Sequence, residues 1–441
     1  MKTKKLKIAI KTAKHIGCHA LLAGALLLSA AAHGQTLATG DSRTVRQPLN
    51  LPACITLDAQ FSSSQRSSPP TADDTSRIQA ALNTCAGTGK SVVLAASGGN
   101  DAFYTGSLSA DGVGLAIRSG TTLIGNNSYV SSAQLLYFTG TNASLMGPGT
   151  VDGRGDILTG GTPRLVQASN ITNFVVYNVT LTQALHPNLY VEGGSGFTAW
   201  GITILTPANR ANADGIDIDS LTNASVINST INAGDDGVAI KSNSSNISNV
   251  TVSGNRLYGT HGLSVGSITS YAVSNILFEN NYVYGADQMG TPVSGLADAQ
   301  GIVIKTDPCQ LSVQTVSYVN TCMTGVKHLI YMVTNYAACS PSASKNIVAG
   351  TPVVSNIVVS GAYSTDSTLT SSSPYSEFLG QSAAPIQVYL ANVNVDATKQ
   401  SNDANVTAYE YNSNDTPTGT TGVTVQSFTP TFSSSAPTCT F

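Results

Sequence analysis

The feature that most constrains this chain is that it repeats. Ser248-Asn249-Val250-Thr251-Val252-Ser253-Gly254-Asn255-Arg256-Leu257-Tyr258-Gly259 lines up with Ser274-Asn275-Ile276-Leu277-Phe278-Glu279-Asn280-Asn281-Tyr282-Val283-Tyr284-Gly285 at an offset of 26 residues. Thr222-Asn223-Ala224-Ser225-Val226-Ile227 matches at the same offset, and Gly196-Phe197-Thr198-Ala199-Trp200 does so with Phe197 read opposite Asn223. Ser355-Asn356-Ile357-Val358-Val359-Ser360-Gly361 begins a further unit. A period in the range of 20–50 residues marks a solenoid. The units are short alternating apolar runs broken by Asn and Gly, with no room for a helix in each. The expected fold is therefore all-β, a single right-handed parallel β-helix. Each coil stacks its Val and Ile on the next, and Asn and Gly make the bends. A β-sandwich of similar composition would not require a repeated offset.

Composition agrees. With 41% hydrophobic and 10% charged residues, the chain can bury a large core, which excludes disorder. Its 441 residues would allow roughly two to three domains; the repeat favours one. Lys2, Lys4, Lys5, Lys7, Lys11 and Lys14 precede an apolar run from Ala20 to Ala32, so residues 1–34 are expected to be a signal peptide and 35–441 the β-helix domain. No later segment supplies the ~20 apolar residues of a membrane anchor, so a secreted protein, extracellular or periplasmic, without a membrane partner is expected. Removing six of the 21 basic residues and none of the 24 acidic ones leaves a net charge of −9, which argues against a nucleic-acid partner.

Cys54, Cys85, Cys309, Cys322, Cys339 and Cys439 remain after Cys18 is removed with the leader, enough for up to three disulfides. Cys54 with Cys85 and Cys309 with Cys322 are the pairings nearest in sequence, and the connectivity stays open. None has CxxC spacing, so no metal site is expected. Thr75-Ser76-Arg77-Ile78-Gln79-Ala80-Ala81-Leu82-Asn83 reads as a short helix capped by Thr or Ser, which a Cys54–Cys85 bridge would staple over an exposed β edge.

Acidic residues are sparse, so their grouping is informative. Asn212-Ala213-Asp214-Gly215-Ile216-Asp217-Ile218-Asp219 is followed 21 residues later by Gly234-Asp235-Asp236-Gly237-Val238-Ala239-Ile240-Lys241. Thr260-His261-Gly262-Leu263-Ser264-Val265-Gly266-Ser267 follows at about one more coil, and Gly301-Ile302-Val303-Ile304-Lys305-Thr306 returns to the same ridge. In a solenoid, residues one period apart share a face, so Asp214, Asp235, Asp236, His261 and Lys305 are expected in one groove. Such carboxylates suit hydrolysis of a glycosidic bond, one acid protonating the leaving oxygen and a carboxylate activating water. Crowding of like charges is expected to keep the acid protonated. Taken singly, each motif also reads as an ordinary Asp-Gly turn, a packed histidine or a solvated lysine.

These motifs resemble glycoside hydrolase family 28, the polygalacturonases. The family's Asn-Thr-Asp appears as Asn212-Ala213-Asp214, its Gly-Asp-Asp as Gly234-Asp235-Asp236, and its Gly-His-Gly segment as Thr260-His261-Gly262. Gly147-Pro148-Gly149-Thr150-Val151-Asp152-Gly153-Arg154-Gly155 is similar to a further family segment. The resemblance implies an inverting hydrolase of α-1,4-galacturonosyl bonds in pectin that uses no cofactor. Asp235 would be the general acid, Asp214 and Asp236 would hold and activate water, and His261 would support Asp235. Asn212, Lys305 and Tyr336 would contact substrate. Val303 stands where the family has an arginine, and valine cannot offer a charged bidentate fork to a carboxylate. Arg210 or Arg256 could supply that charge from a neighbouring coil. The partner implied is a pectic polysaccharide and the state a monomer. Two other readings remain open: a hydrolase of rhamnogalacturonan or xylogalacturonan, which Val303 favours, and a non-catalytic glycan-binding β-helix. A pectate lyase would need calcium and a basic proton acceptor.

Overall fold

A computed structural model of the protein describes residues 35–290, 299–338, 351–365, 374–397 and 402–441. The expected signal peptide, Cys18, Cys339 and the Ser/Thr-rich stretch 366–373 lie outside these residues. From Ala53–Asp58 to Thr421–Ser427 the described chain forms 31 strands. They make three parallel ladders, so the chain is a parallel β-helix. One ladder runs through Arg164–Thr172, Leu189–Trp200, Ile216–Asp219, Val238–Lys241, Leu263–Ser267, Gln300–Thr306 and His328–Val333. A second contains Thr222–Ile227, Ile247–Ser253 and Val273–Glu279, and a third Thr230–Asn232, Arg256–Tyr258 and Tyr282–Tyr284.

The 26-residue offset is the register of the second ladder, which pairs Ala224 with Val250 and Val250 with Ile276. One coil earlier the alignment slips by one: Phe197 pairs with Ala224, which puts Gly196 at the place of Asn223. The bend there needs a left-handed backbone, adopted by Gly196 at φ 85° and by Asn223, Asn249 and Asn275 at 56–59°. Asparagine adds a bond that glycine lacks. Asn249 Nδ2 donates to Asn223 Oδ1 at 3.2 Å, and Asn275 Nδ2 to Asn249 Oδ1 at 2.8 Å. Inside, aliphatic side chains stack with the rings of Phe138, Phe174 and Phe197, whose centroids lie 5.1 and 6.0 Å apart.

Helix α1 (Thr75–Cys85) covers the first strands with Ile78, Ala81, Leu82 and Cys85 buried at helical spacing. Its cap differs from expectation. Thr75 lies within the helix, where its hydroxyl accepts from the Gly106 N–H at 2.8 Å, and the N-cap is Asp74. The Asp74 carboxylate accepts from the Tyr104 N–H and from the Arg77 guanidinium, and not from a backbone N–H of the helix. Cys54–Cys85 is formed as expected. Cys309–Cys322 is not: Cys322 bonds Cys439, because the C-terminal tail returns along the coils and brings the two Cα atoms to 5.7 Å. Cys309 is disulfide-bonded as well.

Sequence reasoning did not foresee a strap. Residues 35–47 cross the second ladder from coil to coil. The Ala38 N–H donates to Ser317 Oγ at 2.8 Å, Thr39 N–H to Asn275 Oδ1 at 2.7 Å, and Asp41 N–H to Thr251 Oγ1 at 2.9 Å. Ser42 Oγ donates to Asn223 Oδ1 at 2.7 Å and Arg43 Nη2 to the Phe197 carbonyl at 2.6 Å.

Candidate active site

The expected acids sit in bends that lead into the first ladder, one coil above another. The Gly215 N–H donates to the Asp236 carbonyl at 2.8 Å, and the His261 N–H to that of Asp235 at 2.9 Å. These bonds fix Asp214, Asp235–Asp236 and His261 on successive levels. Asn212, Asp214, Asp235, Asp236, Lys305 and Tyr336 line one cleft of about 300 Å³. His261 stands behind Asp235, its Nδ1 2.9 Å from Asp235 Oδ1. Tyr336 is 46% exposed, with the Lys305 ammonium 5.4 Å from its ring centre, so a face remains for a ligand.

Four groups in or beside the cleft were not singled out from sequence. Lys241 Nζ bridges Asp214 Oδ2 at 2.8 Å and Asp217 Oδ1 at 2.6 Å, and Lys305 Nζ pairs with Asp236 Oδ1 at 2.8 Å. His186 and Arg164 complete the wall. Asp217 and Lys241 stand in the quoted motif strings, and only the stacking of coils shows that they touch.

Burial pushes the Asp217 carboxyl well above the carboxylate range, helped by Asp214 and opposed by Lys241. Burial likewise raises Asp236 against the pull of Lys305. Asp235 goes the other way. Burial would raise it, but the hydrogen bond and charge of His261, with Lys305, together outweigh burial and hold it at about 2. For His261, burial lowers the pKa, and the bond to Asp235 with the charges of Asp235 and Asp236 together more than compensates, so it titrates above the ordinary histidine value. Burial lowers Lys241 and Lys305, and the acids around them outweigh it. Burial first, and crowding after it, therefore raises Asp236 and Asp217, whereas Asp235, the expected acid, is lowered by its bond to His261, contrary to expectation.

One oxygen each of Asp235 and Asp236 and a ring nitrogen of His261 lie within 4.8 Å of one another, a spacing a metal could use. Those groups are already paired: His261 bonds Asp235, and Asp236 bonds Lys305. Val303 is fully buried between Ser264 and Tyr331 on neighbouring strands. Neither proposed substitute replaces the missing arginine in the cleft. Arg210 is tied to the Gly155 carbonyl, and the Arg256 guanidinium lies 4.5 Å over the Tyr282 ring.

Residues 104–414 match the family model described as glycosyl hydrolases family 28. The chain is 33% identical to an endo-polygalacturonase of Pectobacterium carotovorum subsp. carotovorum, over 60% of this chain and 72% of that one. It is 28% identical to a polygalacturonase of Ralstonia solanacearum over 86% and 85% of the two chains. The solved polygalacturonase from Erwinia carotovora ssp. carotovora superposes with a TM-score of 0.68 at 29% identity, covering 83% of this chain and 99% of that one.

Proposed function

Because this chain belongs to glycosyl hydrolases family 28, we propose that it is a polygalacturonase, hydrolysing the α-1,4-galacturonosyl bonds of pectin with inversion. The observation that carries the reading is the stack of Asp214, Asp235–Asp236 and His261 on successive coils of one cleft. In the reaction the C–O bond to the leaving sugar breaks as a proton passes from Asp235 to the leaving oxygen. Water attacks the anomeric carbon from the other face and gives its proton to the carboxylates of Asp214 and Asp236. His261 positions Asp235 and stores the proton: with the imidazolium against the carboxylate, the pair acts as one titrating unit. Lys305, Tyr336 and Asn212 face the substrate in this reading. Rhamnogalacturonan or xylogalacturonan as substrate has no better support than polygalacturonate, and the retained acids argue against a purely glycan-binding solenoid.

The protein acts after export, as a monomer, with residues 1–34 removed. The Lys-rich start and the disulfides support export, and no helix among the described residues is long and apolar enough to cross a membrane.

Product analysis on polygalacturonate tests the reading. Release of saturated reducing ends is expected. Unsaturated, ultraviolet-absorbing ends would make the protein a lyase, and release only from branched pectin would move the substrate to rhamnogalacturonan or xylogalacturonan.

A further inference from the structure

A polygalacturonate chain carries a carboxylate on every sugar, yet most cationic groups of the cleft are already committed. Lys241 is held by Asp214 and Asp217, and Lys305 by Asp236. The buried Val303 has no charge to offer. Among the described residues, the cleft has one further cation, Arg164, at the opening of the strand Arg164–Thr172. Its guanidinium makes no ion pair with an acid. Its Cζ lies over the Tyr190 ring, 3.9 Å from the centroid, and Nη1 donates to Gln167 Oε1 at 3.0 Å. Gln167 in turn donates to Glu192 Oε1 at 3.1 Å, and Tyr190 donates to Asp219 Oδ2 at 2.7 Å. The fork is thus held from two sides by neighbours that are themselves held, while its buried Nε has no partner. An always-charged planar group fixed in this way is preorganised for a carboxylate.

We propose that Arg164 binds a carboxylate of the polysaccharide on the side of the cleft facing the N-terminal coils, supplying at a different subsite the charged fork that Val303 lacks. The inference rests on the polygalacturonate reading. Arg164 lies three coils before Asp235 and Asp236, about 14 Å at about 4.8 Å per coil, whereas Lys305 lies on their other side. The two cations bracket the acids, and a chain bound across them spans the point of cleavage. Arg164 is a specificity residue that leaves the chemistry itself to the acids.

The test measures binding of an oligogalacturonate by calorimetry in an Asp235→Asn background, where the ligand survives, together with KM and kcat in the otherwise unaltered enzyme. Arg164→Gln is expected to weaken binding about tenfold to a hundredfold and to raise KM much more than it lowers kcat. Arg164→Lys, which keeps the charge and loses the fork, falls between. The methyl-esterified oligomer, which has no charge to recognise, is expected to lose less than about twofold, and Gln at the exposed Arg118 is the charge control. Unchanged binding by Arg164→Gln overturns the proposal. An equal loss for both oligomers also overturns it, since Arg164 would then only support Tyr190. If the wild-type protein cleaves polygalacturonate while KM is independent of Arg164, this inference fails and the functional reading stands; if it neither cleaves nor binds, both fail.

Discussion

Two faces of the same coils obey different rules. On the second ladder, neighbouring coils carry the same residue at the same place: Asn223, Asn249 and Asn275 bond one another, and the strap of residues 35–47 crosses over them. On the first ladder, one register reads Tyr190, Asp217, Ala239, Ser264, Val303 and Tyr331, with no two neighbours alike. Both faces use the same parallel pairing, so the ladders themselves do not distinguish them. The repeated face satisfies its polar groups through its own asparagines and the strap. The unrepeated face places acids and cations in pairs around open space. In a solenoid, where each coil contacts only its neighbours, repetition suffices for stability, and departures from it are where binding and chemistry are built.

Substitutions can break this contrast, beginning with the largest expected effect. Asp214→Asn should lower kcat on polygalacturonate by about a hundredfold to ten-thousandfold, since a proton acceptor is lost. Lys241→Met leaves Asp214 and Asp217 facing each other in a buried setting and should cost about 3 kcal/mol in a denaturant titration. A loss of activity without a loss of stability would show that the pair is not structural. On the strapped face, Asp41→Ala removes the acceptor of Ser225 and Arg43 and should cost about 1–2 kcal/mol. Its kcat should be that of the wild type.

A pH profile sharpens the comparison further. The Asp235–His261 pair has one carboxylate lowered from 3.8 to about 2 and one imidazole raised above 6.5. For the acid, stability is present above 3.8 and lost as pH falls towards 2. For the histidine, it is full below 6.5 and lost as pH rises through the higher folded value. The pair therefore stabilises most between about 4 and 6.5, and hydrolysis should fall on the alkaline side as His261 loses its proton. Melting temperatures measured across pH should show the two limbs, and His261→Asn should flatten the alkaline one.

The repeated face was legible in the sequence almost in full, because an Asn at a fixed offset carries both the bend and the ladder that follows from it. The slip at Gly196 escaped because glycine meets the same backbone demand without the same letter. The acids were legible as motifs, since Asp214, Asp235, Asp236 and His261 recur at coil spacing. Lys241, Asp217 and Arg164 were not, because their roles arise from contacts between coils, and a lysine beside a strand looks the same whether it is solvated or bridges two acids. The charge state of Asp235 was misread for a similar reason: the support of His261 was expected, but that its bond and charge outweigh burial and crowding shows only in the packed site. The strap and the Cys322–Cys439 bridge depend on where the chain ends return, on which the local pattern is silent.

The central claim is tested most directly by measuring polygalacturonate hydrolysis per folded molecule for Asp235→Asn and Asn249→Ala side by side, below both melting temperatures. The account predicts that Asp235→Asn stays folded and loses hydrolysis by about a hundredfold or more, whereas Asn249→Ala melts earlier, by about 2–3 kcal/mol from lost bonding and from alanine held in a left-handed backbone, and hydrolyses at the wild-type rate. Full activity in Asp235→Asn, or inactivity in a folded Asn249→Ala, would contradict it.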